Sequence, residues 1–377
     1  MPKISWSLHR SSPSFVDVST SVLSFSYSQG RQNYLDQYSG GTLNVTLKNQ
    51  TNVAQYFTFN SLWKLTDSIS GNYQNFWMQN VDFNDYPGNT GLSTITVALV
   101  DVLARNGRNV VSNVVLTQDN TLNQLSTLWT TSPYQIGELQ QEGPGSSTAA
   151  GITYSGSMLN YLNLIDATEK GMLSYFNNKI KMIPRSLAYL TSSGMTFTRN
   201  AASTTAISYF ALGHDRAGLN FMNNVTVNPN GLASQTATNS TSIAAYGNAQ
   251  QSVSTVDYNT TQALGLAQWL SNSQADPEAE NWSVTFQDIP QDTTALEEFL
   301  TAFYGELGIY SKIWTFEYRV PGATADTTVA VAIEGIGVNA SPEQTTFTVY
   351  FSPRTYYQFF TLDSSTLGIL DTSRLGW

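Results

Sequence analysis

The chain has 377 residues, 41% of them hydrophobic, which is enough for more than one core. Only 12% are charged, Ser, Thr, Asn and Gln take the place of the missing ions, and the formal net charge is -10. Its 17 Lys and Arg are scattered apart from Lys179 and Lys181, which argues against a cationic nucleic-acid face or an anionic-membrane anchor, and the lack of Cys removes disulfides and thiolate metal sites.

The first residues, MPKISWSLHR, turn polar at once and lack the apolar core of a signal peptide, and no run of about 20 apolar residues follows. The expectation is a chain made in a cytosol or assembled into something there. Seven Asn-X-Ser/Thr sites, beginning at Asn44 and Asn49, are the chance yield of such a composition. Strict alternation then predicts strands. Leu23, Phe25 and Tyr27 alternate with serines; Leu43, Val45 and Leu47 alternate with Asn44, Thr46 and Lys48; Ile95, Val97 and Leu99 repeat the pattern. One buried face and one polar face is the mark of antiparallel sheet. Residues 1–107 therefore read as an N-terminal β-barrel domain that ends in a short helix.

Residues 108–200 read as a mixed helix and hairpin domain. Met158, Leu162 and Ile165 share one helical face over 157–169, and Gly171 is placed to supply a left-handed cap. Gln140–Gly151 reads as a loop. Residues 201–290 read as a polar peripheral domain with a helix at 261–271, carried by Ala263, Leu266, Ala267 and Leu270. Residues 291–377 begin with the strongest helix, 294–307. Thr294 and Glu297 have capping-box spacing there, and Leu296, Phe299, Leu300, Phe303 and Leu307 form its apolar stripe. Alternating strands follow at Trp314–Val320, Val329–Ile333 and Phe347–Phe351, and would complete a second barrel. No internal repeat is present. The fold class is mainly β with some α.

Side chains able to do chemistry are sparse. Asp82, Asn84 and Asp85 offer oxygens beside Pro87-Gly88, but no Glu follows at the distance a calcium loop requires, so they read as an Asx-rich turn. Glu138 with Glu142, or Glu278 with Glu280, could be imagined as a glycosidase pair, but each lies in polar sequence with nothing to raise a carboxyl pKa. His214-Asp215 is a dipeptide rather than a triad, and Ser155 between Gly151 and Gly156 lacks the nucleophile-elbow spacing. His9 and His214 without Cys make no common structural zinc site. The expectation is no enzyme, no catalytic residue, no metal and no cofactor. Aromatic residues are abundant, and Tyr356, Tyr357, Phe359 and Phe360 put rings on both faces of one strand, which suggests contact with another domain or chain.

Several segments, in one order, resemble a family of phage minor tail proteins. RQNYLDQYSGGTLNVTLKNQTN (31–52), after Gly30, carries Gly30-Arg31, Leu35-Asp36, Gly41-Thr42 and Leu47-Lys48-Asn49, similar to that family's opening signature. LIDATEKGMLSYFNNKIKMIPR (164–185) resembles its helix, Glu-x-Gly, strand, turn, strand element. STSIAAYGNAQQSVSTVDYNTTQALGLAQWLSN (240–272) resembles a segment in which Tyr-Gly precedes a strand and an Ala-rich helix, and FFTLDSSTLGILDTSRLGW (359–377) resembles its closing segment. Where the family turn continues Asn-x-Asp-Gly, this chain has Asn49-Gln50-Thr51-Asn52.

The resemblance implies a baseplate or tail-tip hub protein of a phage virion, with two tube-like antiparallel β-barrels per chain plus peripheral mixed domains. Three such chains match a sixfold tail tube. The partners implied are a homotrimer, the tail tube or a distal-tail protein above, a spike or fibre protein below and the tape-measure protein, with no sequence-specific nucleic acid and no membrane span. A hexameric distal-tail adaptor and a host-receptor or polysaccharide-binding tail module are the alternatives.

Overall fold

The protein is represented by a computed structural model. It describes residues 3–48, 57–86, 88, 92–133, 137–141, 143–184, 191–215, 221–276, 281–304, 312–320 and 322–354. The aromatic segment 356–360 and the closing segment 359–377 lie outside these residues, as do Glu142, Glu278 and Glu280.

The alternating segments form strands as expected, in one fourteen-stranded sheet. Val22–Gly30, Ser39–Lys48, Thr94–Val100, Tyr73–Asn84, Leu62–Asp67 and Trp6–Arg10 lie side by side and antiparallel. The C-terminal strands join the same sheet through Thr327–Ala340. One edge of this 14-residue strand pairs with Lys312–Tyr318 along its first half and with Val22–Gly30 along its second; the other edge pairs with Thr345–Pro353. Asn281–Gln287 and Ala211–Asp215 extend the sheet beyond Thr345–Pro353. The two expected barrels are therefore two halves fused along one strand; no closed ladder forms among the described residues, although in the C-terminal half the continuous segment 206–215 pairs with Thr191–Thr198 at its start and with Asn281–Gln287 at its end.

Six helices occur among the described residues: α1 Val102–Asn106, α2 Thr121–Thr131, α3 Met158–Glu169, α4 Ser240–Tyr246, α5 Thr260–Ser273 and α6 Thr293–Tyr304. None is long and apolar enough to cross a membrane. α6 is the bolt between the sheet halves. Phe303 meets Tyr27 of the N-terminal half (6.3 Å between ring centroids), and Phe299 meets Phe286, Phe347 and Trp314 of the C-terminal half (5.3, 5.5 and 6.1 Å). Its start differs from the expected capping box: Asp292 Oδ1 accepts from Thr294 N (2.8 Å), so Asp292 caps a helix beginning one residue earlier. A carboxyl oxygen at the N-cap accepts from the free N–H groups of the first turn, which a hydroxyl already inside that turn is not placed to do.

α3 starts where Ser157 Oγ accepts from Asn160 N (3.1 Å). Its left-handed cap is Lys170 (φ 47), not Gly171. The cost of about 1 kcal/mol for a non-glycine residue there is offset by burial of the lysine stem, which carries Nζ to 5.6 Å from the Tyr34 ring centroid. After α3 the chain forms the hairpin Met172–Phe176/Lys179–Ile183, turned by Asn177 and Asn178 with φ of 41 and 68, the two-residue turn that Asn favours. This is the helix, Glu-x-Gly, strand, turn, strand order read from residues 164–185. α1, α2, α3, the hairpin and the ribbon Val110–Leu116/Ile152–Ser157 enclose a second apolar core around Leu125, Tyr161 and Ile165. Residues 201–290 hold more strand than their polar composition suggested: Asn224–Pro229, Gln235–Thr238 and Gln250–Thr255 form a small sheet against α5.

Candidate functional site

The two sheet halves meet at a buried charged junction. Thr327–Ala340 bulges between Ile333 and Gly335, where its edge passes from one half to the other. Glu334 lies in this bulge, fully buried. Its backbone O accepts from Arg31 N (2.9 Å), and its Oε2 accepts from Arg31 Nε (2.8 Å). Arg31 Nη1 reaches Asp166 Oδ2 on α3 at 3.2 Å. The guanidinium also stands over the Tyr38 ring, 4.4 Å from its centroid. Gly30 takes a positive φ of 84 to deliver Arg31, and Gly335 leaves room for it, because a Cβ at Gly335 would collide with Arg31 O. One arginine thus holds together the end of Val22–Gly30, the strand Thr327–Ala340 and α3.

Burial shifts two of the ions here. It raises the Asp166 carboxyl, an effect that Arg31 and Lys170 oppose, and lowers the Lys170 ammonium to about 8. Such a network is stabilising only while complete, since each charge depends on its partners for what it loses in hydration. Nearby, Asp101 caps α1: Oδ1 accepts from Ala104 N (2.8 Å) and Oδ2 from Gly41 N (2.6 Å). Full burial raises its pKa from 3.8 to about 7. A raised acid favours the fold most below its ordinary pKa and loses that contribution as pH rises through the folded value. Melting temperature should therefore carry a falling component between pH 4 and 7, and Asp101→Asn should flatten it. An unchanged pH slope in Asp101→Asn would contradict the assignment.

A second feature is the solvent side of the sheet. Register carries one row of outward residues, Gln287, Thr346, Asn339, Ser26, Asn44, Ala98 and Asn80, across seven strands and both halves. The adjoining row is Ala211, Thr285, Thr348, Gly337, Ser28 and Thr42. Six inter-strand steps of ~4.8 Å take the longer row about 30 Å across without one ionisable side chain. Charge returns beyond these rows, with Asp82 opposite Thr96, Lys48 opposite Thr94, Lys64 opposite Asn75 and Glu317 opposite Thr328. The face is hollowed, with a depression of about 330 Å³ lined by Ser24, Ser26, Asn44, Thr46, Asn339 and Thr346.

The residues considered for chemistry are dispersed. Asp85 Oδ1 accepts from Ser93 Oγ (2.7 Å), which in turn accepts from Tyr86 N, so it closes a turn; Asp82 pairs with Asn80. Glu138 is exposed and 3.5 Å from Lys179. Ser155 Oγ accepts from Asn113 N. His9 stacks on Phe15, and His214 packs against Trp282 and Tyr318. Among the described residues no three His, Asp or Glu side chains come together as a metal site. The junction was not foreseen as a cluster, although Gly30-Arg31 and Glu169-Lys170-Gly171 were singled out as motifs. Only the fold brings Arg31 to residues 135 and 303 positions away.

No family model and no curated protein matches the chain by sequence. Solved structures do match over nearly its whole length. A tail protein from Neisseria meningitidis MC58 superposes with a TM-score of 0.62 at 10% identity, covering 93% of this chain and 96% of that one. The 43 kDa tail protein of prophage MuSo2 from Shewanella oneidensis gives 0.57 at 11% identity, covering 94% and 98%. The E. coli c3393 protein, a type VI secretion component described as similar to the T4 tail proteins gp27 and gp5, gives 0.52 at 8% identity, covering 88% and 73%. The chain has the fold of phage tail proteins and of their secretion-system counterparts.

Proposed function

We propose that the protein is a structural component of a phage tail tip or baseplate, a trimeric hub that continues the tail tube and joins it to a spike or fibres. The observation that carries this reading is the hollowed, ion-free face spanning both sheet halves. A polyanion binds protein by releasing counterions from its phosphates, so a wall without cations does not hold it. A wall without anions does not repel it. Two strand-rich halves per chain, in three copies, give six tube-like elements, which suits a sixfold tube. Within this reading residues 1–107 and 291–377 face the tube together with the strands Thr191–Thr198, Ala206–Ser208, Ala211–Asp215 and Asn281–Gln287 that join the same sheet, and the rest of 108–290 forms the periphery. The role is structural rather than catalytic, and its place is the virion.

Lysines placed on the face test the channel. Ser26→Lys with Thr348→Lys should leave the fold and tail assembly intact but lower infective titre by about tenfold or more, with partial recovery at higher salt. Unchanged titre from correctly assembled particles would oppose a channel-facing role. Copy number tests the geometry: native mass spectrometry or an averaged tail image should count three chains per ring, and six would favour an adaptor instead.

A further inference from the structure

A cleft of about 550 Å³ lies between α3 and the strand Gln250–Thr255. One wall is a single helix face, with Asn160, Asn163, Leu164 and Ala167 at i, i+3, i+4 and i+7. The other is lined by four successive residues, Gln251 to Ser254. Successive residues of a strand point to opposite faces, so four in a row border a cleft only if its backbone edge does. That strand is outermost in its three-stranded sheet, pairing with Asn224–Pro229 and with no other strand among the described residues. Its exposed residues, Gln250, Gln251, Ser252 and Ser254, include none of the charges or prolines that blunt a free edge.

The cleft's charges are two carboxylates, Asp36 and Asp166, and one ammonium, Lys170. Asp36 is exposed at the rim, accepts from Asn33 Nδ2 (2.7 Å), and forms no ion pair among the described residues. On the floor, Asp166 Oδ2 accepts from Arg31 Nη1, and its Oδ1 has no hydrogen-bond partner among the described residues. An edge of alternating N–H and C=O groups is matched by another extended backbone, and the surplus carboxylate by a cation.

We propose that this cleft receives an extended segment of a partner protein, which adds as a fourth strand along Gln250–Thr255 and directs a Lys or Arg side chain to the Asp36 rim. Such strand addition draws affinity from main-chain hydrogen bonds and selectivity from the side-chain site. The inference does not depend on the tail-tip reading, because it can be tested on the isolated full chain.

The probe is a capped pentapeptide, Thr-Val-Arg-Val-Thr, compared with its Thr-Val-Glu-Val-Thr counterpart and with calcium chloride alone, using amide hydrogen exchange read by mass spectrometry. The arginine peptide should slow exchange across 250–255 and leave the Val110–Leu116 ribbon unchanged, and the glutamate peptide should not. Asp36→Asn, an exposed substitution that leaves the core intact, should weaken the arginine peptide by about fivefold, the scale of one exposed ion pair. No slowing by either peptide would overturn strand addition. Equal slowing by both, or no loss in Asp36→Asn, would overturn the basic anchor. Slowing by calcium alone would reassign the cleft to a metal ion.

Discussion

Arg31→Ala should destabilise the protein by about 3–5 kcal/mol, the range for removing one member of a buried ion network. The loss is not one hydrogen bond. Glu334 and Asp166 would remain buried, 0% and 4% exposed, with their strongest donor gone. The guanidinium also fills the space over Tyr38, so the variant loses packing as well as charge. Chemical denaturation should show the lowered midpoint. Arg31→Lys should recover only part of the loss, because an ammonium cannot serve Glu334 and Asp166 together from a planar fork. The triple variant Arg31→Met, Asp166→Leu, Glu334→Leu should be much less destabilised than Arg31→Ala, since it leaves no unpaired ion. A fall of less than about 1 kcal/mol in Arg31→Ala would mean that water or Lys170 replaces the guanidinium freely.

The junction also shows which parts of the structure could be read from sequence. Strand alternation is local, and Leu43, Val45 and Leu47 face inward because every second side chain must. The same signal was available and passed over at Trp282, Val284 and Phe286, and at Val225 and Val227, where polar flanks made short strands look irregular. α2 likewise shows Leu122, Leu125, Leu128 and Trp129 at helical spacing. Pairing was not legible. Nothing local announces that Thr327–Ala340 changes partner midway, because the cause is the space at Gly335 and the charge at Arg31, some 300 residues earlier. The expectation of two strand-rich units did not include the strand they share. The ion-free face was half visible: alternating Ser, Thr and Asn could be seen strand by strand, but its continuity needed the register between strands.

Motifs noted for resemblance prove to be structural parts. Gly30 turns the chain, Arg31 closes the junction, and Gly41 offers its N–H to Asp101 where any side chain would strike that carboxylate. Glu169 accepts from Ser146 N, Ser147 N and Thr121 Oγ1, fixing the loop 144–149 over the start of α2. Residues of this kind bear on architecture rather than chemistry, and the fold they support is one that solved tail proteins share at about a tenth identity.

Phe197→Ala should cost a further 3–5 kcal/mol by a different mechanism, a cavity in the C-terminal sheet half, at about the scale of large-to-small core changes. Phe197 is fully buried, with ring centroids of Phe351, Trp314, Phe286 and Phe299 at 5.0, 5.5, 6.0 and 6.2 Å. Those rings come from three strands and α6, so none can move into the space without losing contact with the others. Phe197→Leu should be milder, because it keeps most of the volume. The location of the damage is the sharper test. α6 seats Phe299 in this half and Phe303 against Tyr27 in the other, so a loosened Phe299 should be felt across the bolt. Hydrogen exchange should then rise in Val22–Gly30 as well as in Thr191–Thr198, and unfolding should remain one transition. A rise confined to the C-terminal strands, with a second transition emerging, would mean that the halves fold as separate units and that the shared strand and α6 couple them only weakly.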